Sequence, residues 1–163
     1  MYIVSNTTPI ISLLKLNELD LLQSMFGEIS IPEAVYNEIT VKGSYNDEIE
    51  IFKKAGFINK KVVRNELAVK LMKKQVGLDS GESEAIVLTD ELKDAILIID
   101  ELKGRKVAID MGLKVTGTLG IILKSKERGI ITAVKPLLDA LIDNNIRIGS
   151  KLYEDILKKA GEK

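Results

Sequence analysis

The chain contains neither cysteine nor histidine among its 163 residues. The lack of cysteine excludes a disulfide scaffold and every thiolate metal site. The lack of histidine excludes imidazole zinc sites, Ser-His-Asp triads and histidine general bases. Any chemistry must therefore come from carboxylate, Lys, Arg, Ser, Thr or Tyr side chains, or from a metal ion held by oxygen atoms.

Aromatic residues and net charge are also scarce. Aromatic side chains make up 4% of the chain and there is no tryptophan, so base stacking on an aromatic platform is not expected. Lys and Arg number 24, as do Asp and Glu, which gives a formal net charge of +0. A nucleic-acid partner would therefore need a local basic face.

Targeting signals are not evident in the sequence. The first residues, MYIVSN, lack the basic region of a signal peptide. The apolar runs are far shorter than the ~20 residues that a membrane span requires. We therefore expect a cytoplasmic protein that makes no membrane contact.

The hydrophobic pattern alternates between short strands and helices. A length of 163 residues suits one domain, so we predict a single domain over 1–163 with C-terminal helices from about residue 133. The run AILII is apolar throughout, which is typical of a parallel strand buried on both faces. These features predict an α/β fold with a parallel sheet of four or five strands. The predicted strands are 2–5, 28–31, 58–63, 95–99 and 114–116.

Other local signals predict where helices begin and end. The first helical stretch, 9–26, should break near Leu16 and Asn17. Pro32 should open a short helix that ends at Ile39. The stretch 43–47 should form a loop, and further helices should cover 48–55, 66–76, 79–92, 103–111, 117–128, 133–144 and 150–160.

Polar side chains follow several of these strands. In parallel sheets the carboxyl ends of the strands meet at one edge, where α/β active sites lie. Asn6 follows the first strand, Asp100 follows the buried strand, and Glu38 lies in the helix after the second strand. Glu82 and Glu84 lie in the first turns of the helix that begins at the same edge. We therefore expect an amide and three or four carboxyl groups to line one depression.

Carboxylates that crowd into one pocket repel each other unless a cation neutralises them. With oxygen ligands only, Mg²⁺ or Mn²⁺ is the expected ion. Such an ion can activate a bound water and stabilise phosphoryl transfer. The pattern therefore predicts metal-dependent phosphodiester hydrolysis.

Five stretches, which together span nearly the whole chain, resemble the PIN-domain family. The similarity is strongest to a PIN-like group of unknown function that is related to the toxin ribonucleases of toxin–antitoxin pairs. The stretches are VSNTTPIISLLKLNELDLL, IPEAVYNEI, GESEAIVLT, LIIDELKGRKVAIDMGLKVTGTLGIILKSKERGII and LLDALIDNNIRIGSKLYEDILKKAGE.

The resemblance implies a three-layer α/β/α sandwich and Mg²⁺- or Mn²⁺-dependent endonucleolytic cleavage of single-stranded RNA. It also implies a homodimer and an antitoxin-like protein as a further partner. The four acidic positions of the family fall here on Asn6, Glu38, Glu82 and Asp100, which would be both the catalytic residues and the metal ligands. A further acid that some PIN nucleases carry is absent near Gly117 and Thr118.

Each candidate has a structural alternative. Asn6 can cap a helix, and Glu38 can be a solvated helix residue. Glu82 fits the third position of a capping box that begins at Asp79, and Glu84 is the nearest competitor for the third acid. Glu84 lies two residues further on, so the two side chains point about 200° apart around the helix.

Basic residues concentrate in the second half of the chain. Arg105 lies about one turn beyond Asp100 and is the best single candidate for a phosphate or carboxylate partner. The usual alternative is a solvated helix face.

Two functional interpretations follow. The first is a metal-dependent ribonuclease. The second is a weakened or inactive PIN-like module that binds RNA or an antitoxin-like protein without cleavage, because Asn6 replaces an acid. A flavodoxin-like regulatory domain is a weaker third possibility, since no Gly-rich phosphate loop is present.

Overall fold

The computed structural model describes residues 1–42 and 46–163. Strands and helices alternate along this part of the chain, as the hydrophobic pattern predicts. The strands, β1 to β5, are Tyr2–Ser5, Ile29–Pro32, Ile58–Lys61, Ala95–Ile98 and Lys114–Thr116. The α-helices, α1 to α10, are Thr7–Lys15, Asp20–Phe26, Glu33–Lys42, Asn46–Lys54, Glu66–Leu71, Ser80–Leu92, Leu102–Asp110, Thr118–Glu127, Lys135–Asp143 and Ser150–Lys159.

The five strands form one sheet in the order β3-β2-β1-β4-β5, and every neighbouring pair is parallel. β1 lies at the centre, where Ser5 pairs with Ile98 of β4. Because the strands are parallel, their carboxyl ends share one edge of the sheet. The predicted α/β class with a parallel sheet is therefore confirmed.

Helices cover both faces of this sheet. Alternate residues of a strand point to opposite faces, and the two faces have separate buried clusters. Ile3 and Ile98 belong to the larger cluster, which includes side chains from α1, α2 and α8 to α10. Val4 and Leu97 belong to the smaller cluster, together with side chains of α6 and α7. The three-layer α/β/α sandwich is thus confirmed, and it explains why β4 is apolar throughout.

Most element boundaries agree with the predictions, and the exceptions have local causes. Asn17 has a left-handed φ of 55°, which separates α1 from α2 at the predicted break. Pro32 was predicted to open a helix, and this was wrong: it ends β2 opposite Lys61, and α3 begins at Glu33. The fixed φ of proline is compatible with either position, so the sequence does not distinguish them. A loop was predicted over 43–47. Its first part, 43–45, lies outside the described residues, and its last two residues belong to α4.

The stretch predicted as one helix over 66–76 is divided. Its first part is α5, and a π-helical turn, Met72–Val76, completes it. Gly77 ends this turn with a φ of 80° in the left-handed region, which glycine adopts without strain. The chain then enters α6 through Asp79, which therefore stands at the edge where the strands end.

None of the helices in the described ranges has the length and apolar character needed to cross a membrane.

Candidate active site

Asn6 lies between β1 and α1 with its side chain almost completely buried. Its backbone N–H donates to the carbonyl of Ile98 at 2.9 Å, which ties it to the end of β4. It occupies the N-cap position of α1, but its side chain makes no capping hydrogen bond. Its Oδ1 atom is buried and has no hydrogen-bond partner within the described residues. The capping alternative therefore does not account for this amide, because a buried acceptor without a partner is costly.

Glu38 extends from α3 towards the start of α1 and the start of α6. Its Oε2 atom accepts a hydrogen bond from the Thr7 hydroxyl at 2.5 Å, and its Oε1 atom accepts one from the Gly81 backbone at 3.0 Å. A Cβ atom on Gly81 would lie 2.7 Å from Oε2 and 2.8 Å from Oε1. The glycine thus makes room for the carboxylate, and Glu38 is not a plain solvated helix residue.

Glu82 lies in the first turn of α6 and is 9% exposed. The pKa of its carboxyl group is raised from 4.5 to about 7, mostly by burial, and also by a hydrogen bond with the Asp79 side chain and by the charges of Asp79, Glu101 and Glu38. The Asp79 carboxylate accepts a hydrogen bond from the Glu82 backbone at 2.8 Å, so the predicted N-cap is confirmed. A proton held on Glu82 near neutral pH relieves the repulsion between these carboxylates.

The side chain of Glu84 contacts the start of α3, whereas that of Glu82 contacts Asp79. Its Oε1 atom accepts a hydrogen bond from the Ala34 backbone at 3.3 Å, at the start of α3. It also lines a groove of about 280 Å³, together with Val62, Val69 and other residues of the β3–α5 region. Burial raises the pKa of its carboxyl group as well. Glu84 therefore interacts with a helix N-terminus, whereas Glu82 faces Asp79.

Asp100 follows β4 and is tied to the start of α8. Its Oδ1 atom accepts a hydrogen bond from the Thr118 backbone at 2.8 Å, and its Oδ2 atom accepts one from the Thr118 hydroxyl at 2.6 Å. Arg105, one turn further on, donates from Nη1 to the carbonyl of Ile99 at 2.8 Å. Asp100 thus caps α8 and lies on the same sheet edge as Asn6.

These contacts place the four candidates along one edge of the sheet, but they are not equally close to one another. Glu38 and Glu82 act on each other through their charges, and Gly81 stands between their backbones. Within residues 1–42 and 46–163, no three acidic side chains converge closely enough to hold an ion by themselves. Hydroxyl and N–H groups bind both oxygens of Glu38 and both oxygens of Asp100.

The donor set is nevertheless compatible with a hydrated hard cation. Every available ligand atom is an oxygen, and Oδ1 of Asn6 is a buried acceptor without a partner. Burial raises the pKa of the Glu82 carboxyl group, and the nearby charges of Asp79, Glu101 and Glu38 contribute in the same direction. Mg²⁺ in proteins usually keeps several waters and binds through one or two carboxylates, so it does not need three converging acids.

Sequence reasoning missed several residues that shape this site. It did not assign Thr7 a role, although this hydroxyl holds Glu38, and it treated Asp79 only as a helix cap. Glu101 was not among the candidates either; it is exposed, but its charge acts on Glu82. The position of Thr7 directly after Asn6, at the end of β1, was the available signal.

A family model described as DUF3368, PIN domain, matches residues 2–162. This range includes all four candidate residues and the threonines and glycines that contact them. A search of curated proteins found no match. A PIN domain has a nuclease-type fold, and membership of this family suggests divalent metal ions and an RNA substrate. Because the match spans nearly the whole chain, the protein belongs to the PIN-domain family.

Proposed function

We propose that the protein is a metal-dependent endoribonuclease that hydrolyses single-stranded RNA. The observation that carries this proposal is the buried, unpartnered Oδ1 of Asn6 at an edge of the sheet that also presents Glu38, Glu82 and Asp100. A buried acceptor that nothing in the described protein satisfies needs an external partner. A cation or a water bound to it would provide one.

Asn6, Glu38, Glu82 and Asp100 would hold Mg²⁺ or Mn²⁺ or its waters. When bound, such an ion supplies an activated water and stabilises charge on the phosphoryl oxygens. Glu82 must release its proton to act as a ligand, because only the carboxylate form binds a cation. Thr7 and Gly81 orient the Glu38 carboxylate, and Thr118 orients that of Asp100. These bonds keep the carboxylates in place in the absence of the ion.

The test is a calorimetric titration with Mn²⁺ of the wild type, Asp100→Asn and Asn6→Asp, together with a cleavage assay on single-stranded RNA. We expect the wild type to bind, Asp100→Asn to lose binding, and Asn6→Asp to bind more tightly because it adds a negative charge. Asp110→Asn is the matched control, since Asp110 is an exposed residue of α7 that pairs with Lys106. It should leave both binding and cleavage unchanged.

Two other results would contradict the proposal. Absence of Mn²⁺ binding by the wild type, by Asp100→Asn and by Asn6→Asp would exclude the metal site. Binding by Asn6→Asp alone would instead support a PIN-like module that has lost the chemistry, which is the second candidate function. The specific observation in favour of that candidate is the neutral amide of Asn6 in place of an acid.

We propose further that residues 1–163 form a single domain, that it acts in the cytoplasm, and that it assembles as a homodimer. The single domain is supported by α9 and α10, whose Leu138 and Ile156 belong to the main buried cluster.

The homodimer is supported by α5, which has no buried residue and exposes Leu67 and Leu71. An antitoxin-like protein is the alternative occupant of this surface. Light scattering on wild-type protein and on the double variant Leu67→Glu, Leu71→Glu tests the dimer, which the variant should dissociate.

A further inference from the structure

Arg105 is a half-buried cation that forms no ion pair with an acidic side chain of the described residues. Its Nη1 atom donates to the carbonyl of Ile99, the residue directly before Asp100. A guanidinium group has five N–H donors, and this is the one hydrogen bond that the Arg105 side chain makes within the described ranges. None of the ion pairs among those residues includes Arg105.

The side chains of Arg105 and Asp100 both approach the backbone of Gly117 closely. A Cβ atom on Gly117 would lie 2.7 Å from Oδ1 of Asp100 and 3.0 Å from Nη1 of Arg105. The backbone of Gly117 is extended, with a φ of −134° and a ψ of 179°, which any residue adopts. The glycine is therefore needed here for space and not for its backbone conformation.

A partly buried guanidinium group with most of its donors unsatisfied is costly, because it has lost solvation, and the nearby Asp100 carboxylate is held by Thr118 and not by Arg105. The planar fork of a guanidinium group matches phosphate oxygens in pairs, and four of its donors remain available here. The group also lies beside Asp100, at one end of the candidate site. An anion that approaches this end would satisfy the donors and neutralise the charge.

We propose that Arg105 binds a phosphate group of the RNA backbone, and that Gly117 allows the guanidinium group to lie beside Asp100. The inference deepens the proposed function and depends on its premise that single-stranded RNA is the substrate. Arg105 would then be a binding residue for the substrate, in addition to its bond to the Ile99 carbonyl. The bond through Nη1 would pre-orient the remaining donors and so reduce the entropy lost on binding.

The first experiment measures binding of a fluorescein-labelled oligouridine in EDTA, by anisotropy at several salt concentrations. EDTA separates RNA binding from any metal-dependent step. We expect Arg105→Ala to weaken binding about tenfold, as for the loss of one charge-assisted contact. The association constant should also depend less steeply on salt. The magnitude of the slope of log association constant against log salt concentration should decrease by about 0.7, the value for one phosphate contact in single strands.

Lys106→Ala is the matched control, because Lys106 is the next residue of α7, carries the same charge and is exposed. It should change the affinity no more than about twofold. Arg105→Lys keeps the charge and loses the planar fork, so it should retain the salt slope and bind more weakly than wild type. Thermal unfolding of each variant checks that the fold persists. If Arg105→Ala does not fold, the RNA affinities of Arg105→Lys and Gly117→Ala test the proposal in its place.

The second experiment fills the space at Gly117. Gly117→Ala should weaken RNA binding, since its methyl group would displace Arg105 and Asp100. Gly149→Ala is the control, because Gly149 also precedes a helix and a Cβ there would meet no atom of the described part of the chain within 4 Å. It should bind RNA as the wild type does.

Equal effects of Arg105→Ala and Lys106→Ala on affinity and salt slope would overturn the inference, as would wild-type protein that does not bind the RNA. Wild-type protein that binds RNA in an Arg105-dependent manner and does not cleave it with Mn²⁺ would support the inference and contradict the proposed catalysis. The two failures are thus distinguishable.

Discussion

The hydroxyl of Thr7 donates a hydrogen bond to Oε2 of Glu38 over 2.5 Å. This bond joins the first residue of α1 to the middle of α3, and the other Glu38 oxygen binds the start of α6. A single carboxylate therefore connects three helices at the edge where the strands end. Its orientation depends on donors from two distant parts of the chain.

Substitution of Thr7 tests this connection. Thr7→Val keeps the shape of the side chain and removes the donor, which leaves a carboxylate oxygen of Glu38 without its partner. We expect a loss of about 2 kcal/mol in the free energy of unfolding, measured in urea, because hydrogen bonds to charged groups are worth about that much. Thr7→Ser should restore most of it. Thr8→Val is the control, since Thr8 is exposed; an equal loss there would contradict the assignment.

Gly81→Ala tests the close approach between α6 and Glu38. Within a helix, alanine is more stable than glycine by about 1 kcal/mol. Here the methyl group would lie 2.7 Å from a Glu38 oxygen, so the carboxylate must move. We expect a lower unfolding free energy and weaker Mn²⁺ binding.

The control for this substitution is Gly56→Ala, just before β3, where a Cβ would meet no atom of the described residues within 4 Å. The φ of Gly56 is not positive, so the variant should be neutral or stabilised. A stabilised Gly81→Ala protein would show that the site tolerates the methyl group.

The raised pKa of Glu82 predicts a specific dependence of stability on pH. The folded protein binds the Glu82 proton up to about pH 7, whereas the unfolded chain releases it near 4.5. Because the folded state binds more protons between these values, stability should fall as the pH rises from 4.5 to 7. The total decrease in the free energy of unfolding over this range is of the order of 3 kcal/mol, because a pKa shift of one unit corresponds to about 1.36 kcal/mol.

Glu82→Gln should remove this fall, since the amide does not titrate in the range. Urea unfolding at several pH values, without divalent ions, measures the effect. Mn²⁺ affinity of the wild type should rise over the same range, because the ion competes with the proton. A stability profile that is identical in wild type and Glu82→Gln would show that Glu82 titrates normally.

Glu162 should stabilise the C-terminus through an ion pair with Lys126. Its Oε2 atom lies 2.9 Å from Lys126 Nζ and accepts the Val134 N–H at 2.7 Å, and Oε1 accepts the Lys135 N–H at 3.0 Å. The hydrogen bond from Lys126 lowers the pKa of the Glu162 carboxyl group to about 2. The contribution is therefore complete above pH 4.5 and is lost as the pH falls towards 2.

Glu162→Gln should lower the unfolding free energy by about 2 kcal/mol at pH 7. It should also reduce the loss of stability that the wild type shows as the pH falls from 4.5 towards 2. Glu127→Gln is the control, because Glu127 forms an exposed pair with Lys124 and such pairs contribute little. If both variants lose the same stability, Glu162 has no special role at the C-terminus.

Much of the fold was predictable, because local pattern and packing agree. The apolar run before Asp100 indicated a strand buried on both faces, and β4 lies in the interior of the sheet. The choice of Pro32 as a helix start failed because proline suits the end of a strand equally well. The π-helical turn after α5 has no sequence signature that separates it from an ordinary helix.

The candidate site was predictable as a set of residues but not as a set of contacts. Strand ends determine which residues reach the edge, so Asn6 and Asp100 could be named from the order of strands and helices. Spacing on one helix could not separate Glu82 from Glu84. The contacts do so, since one side chain faces Asp79 and the other binds the start of α3.

The sequence by itself determined the oxygen-only chemistry, the alternation of strands and helices, and the positions of the acidic residues along the chain. These are local properties of composition and periodicity. Only the tertiary structure decided that Thr7 and Gly81 hold Glu38, that Thr118 holds Asp100, and that Arg105 and Asp100 both lie against Gly117. Such contacts join residues that lie far apart in the sequence, and their geometry depends on how the helices pack against the sheet.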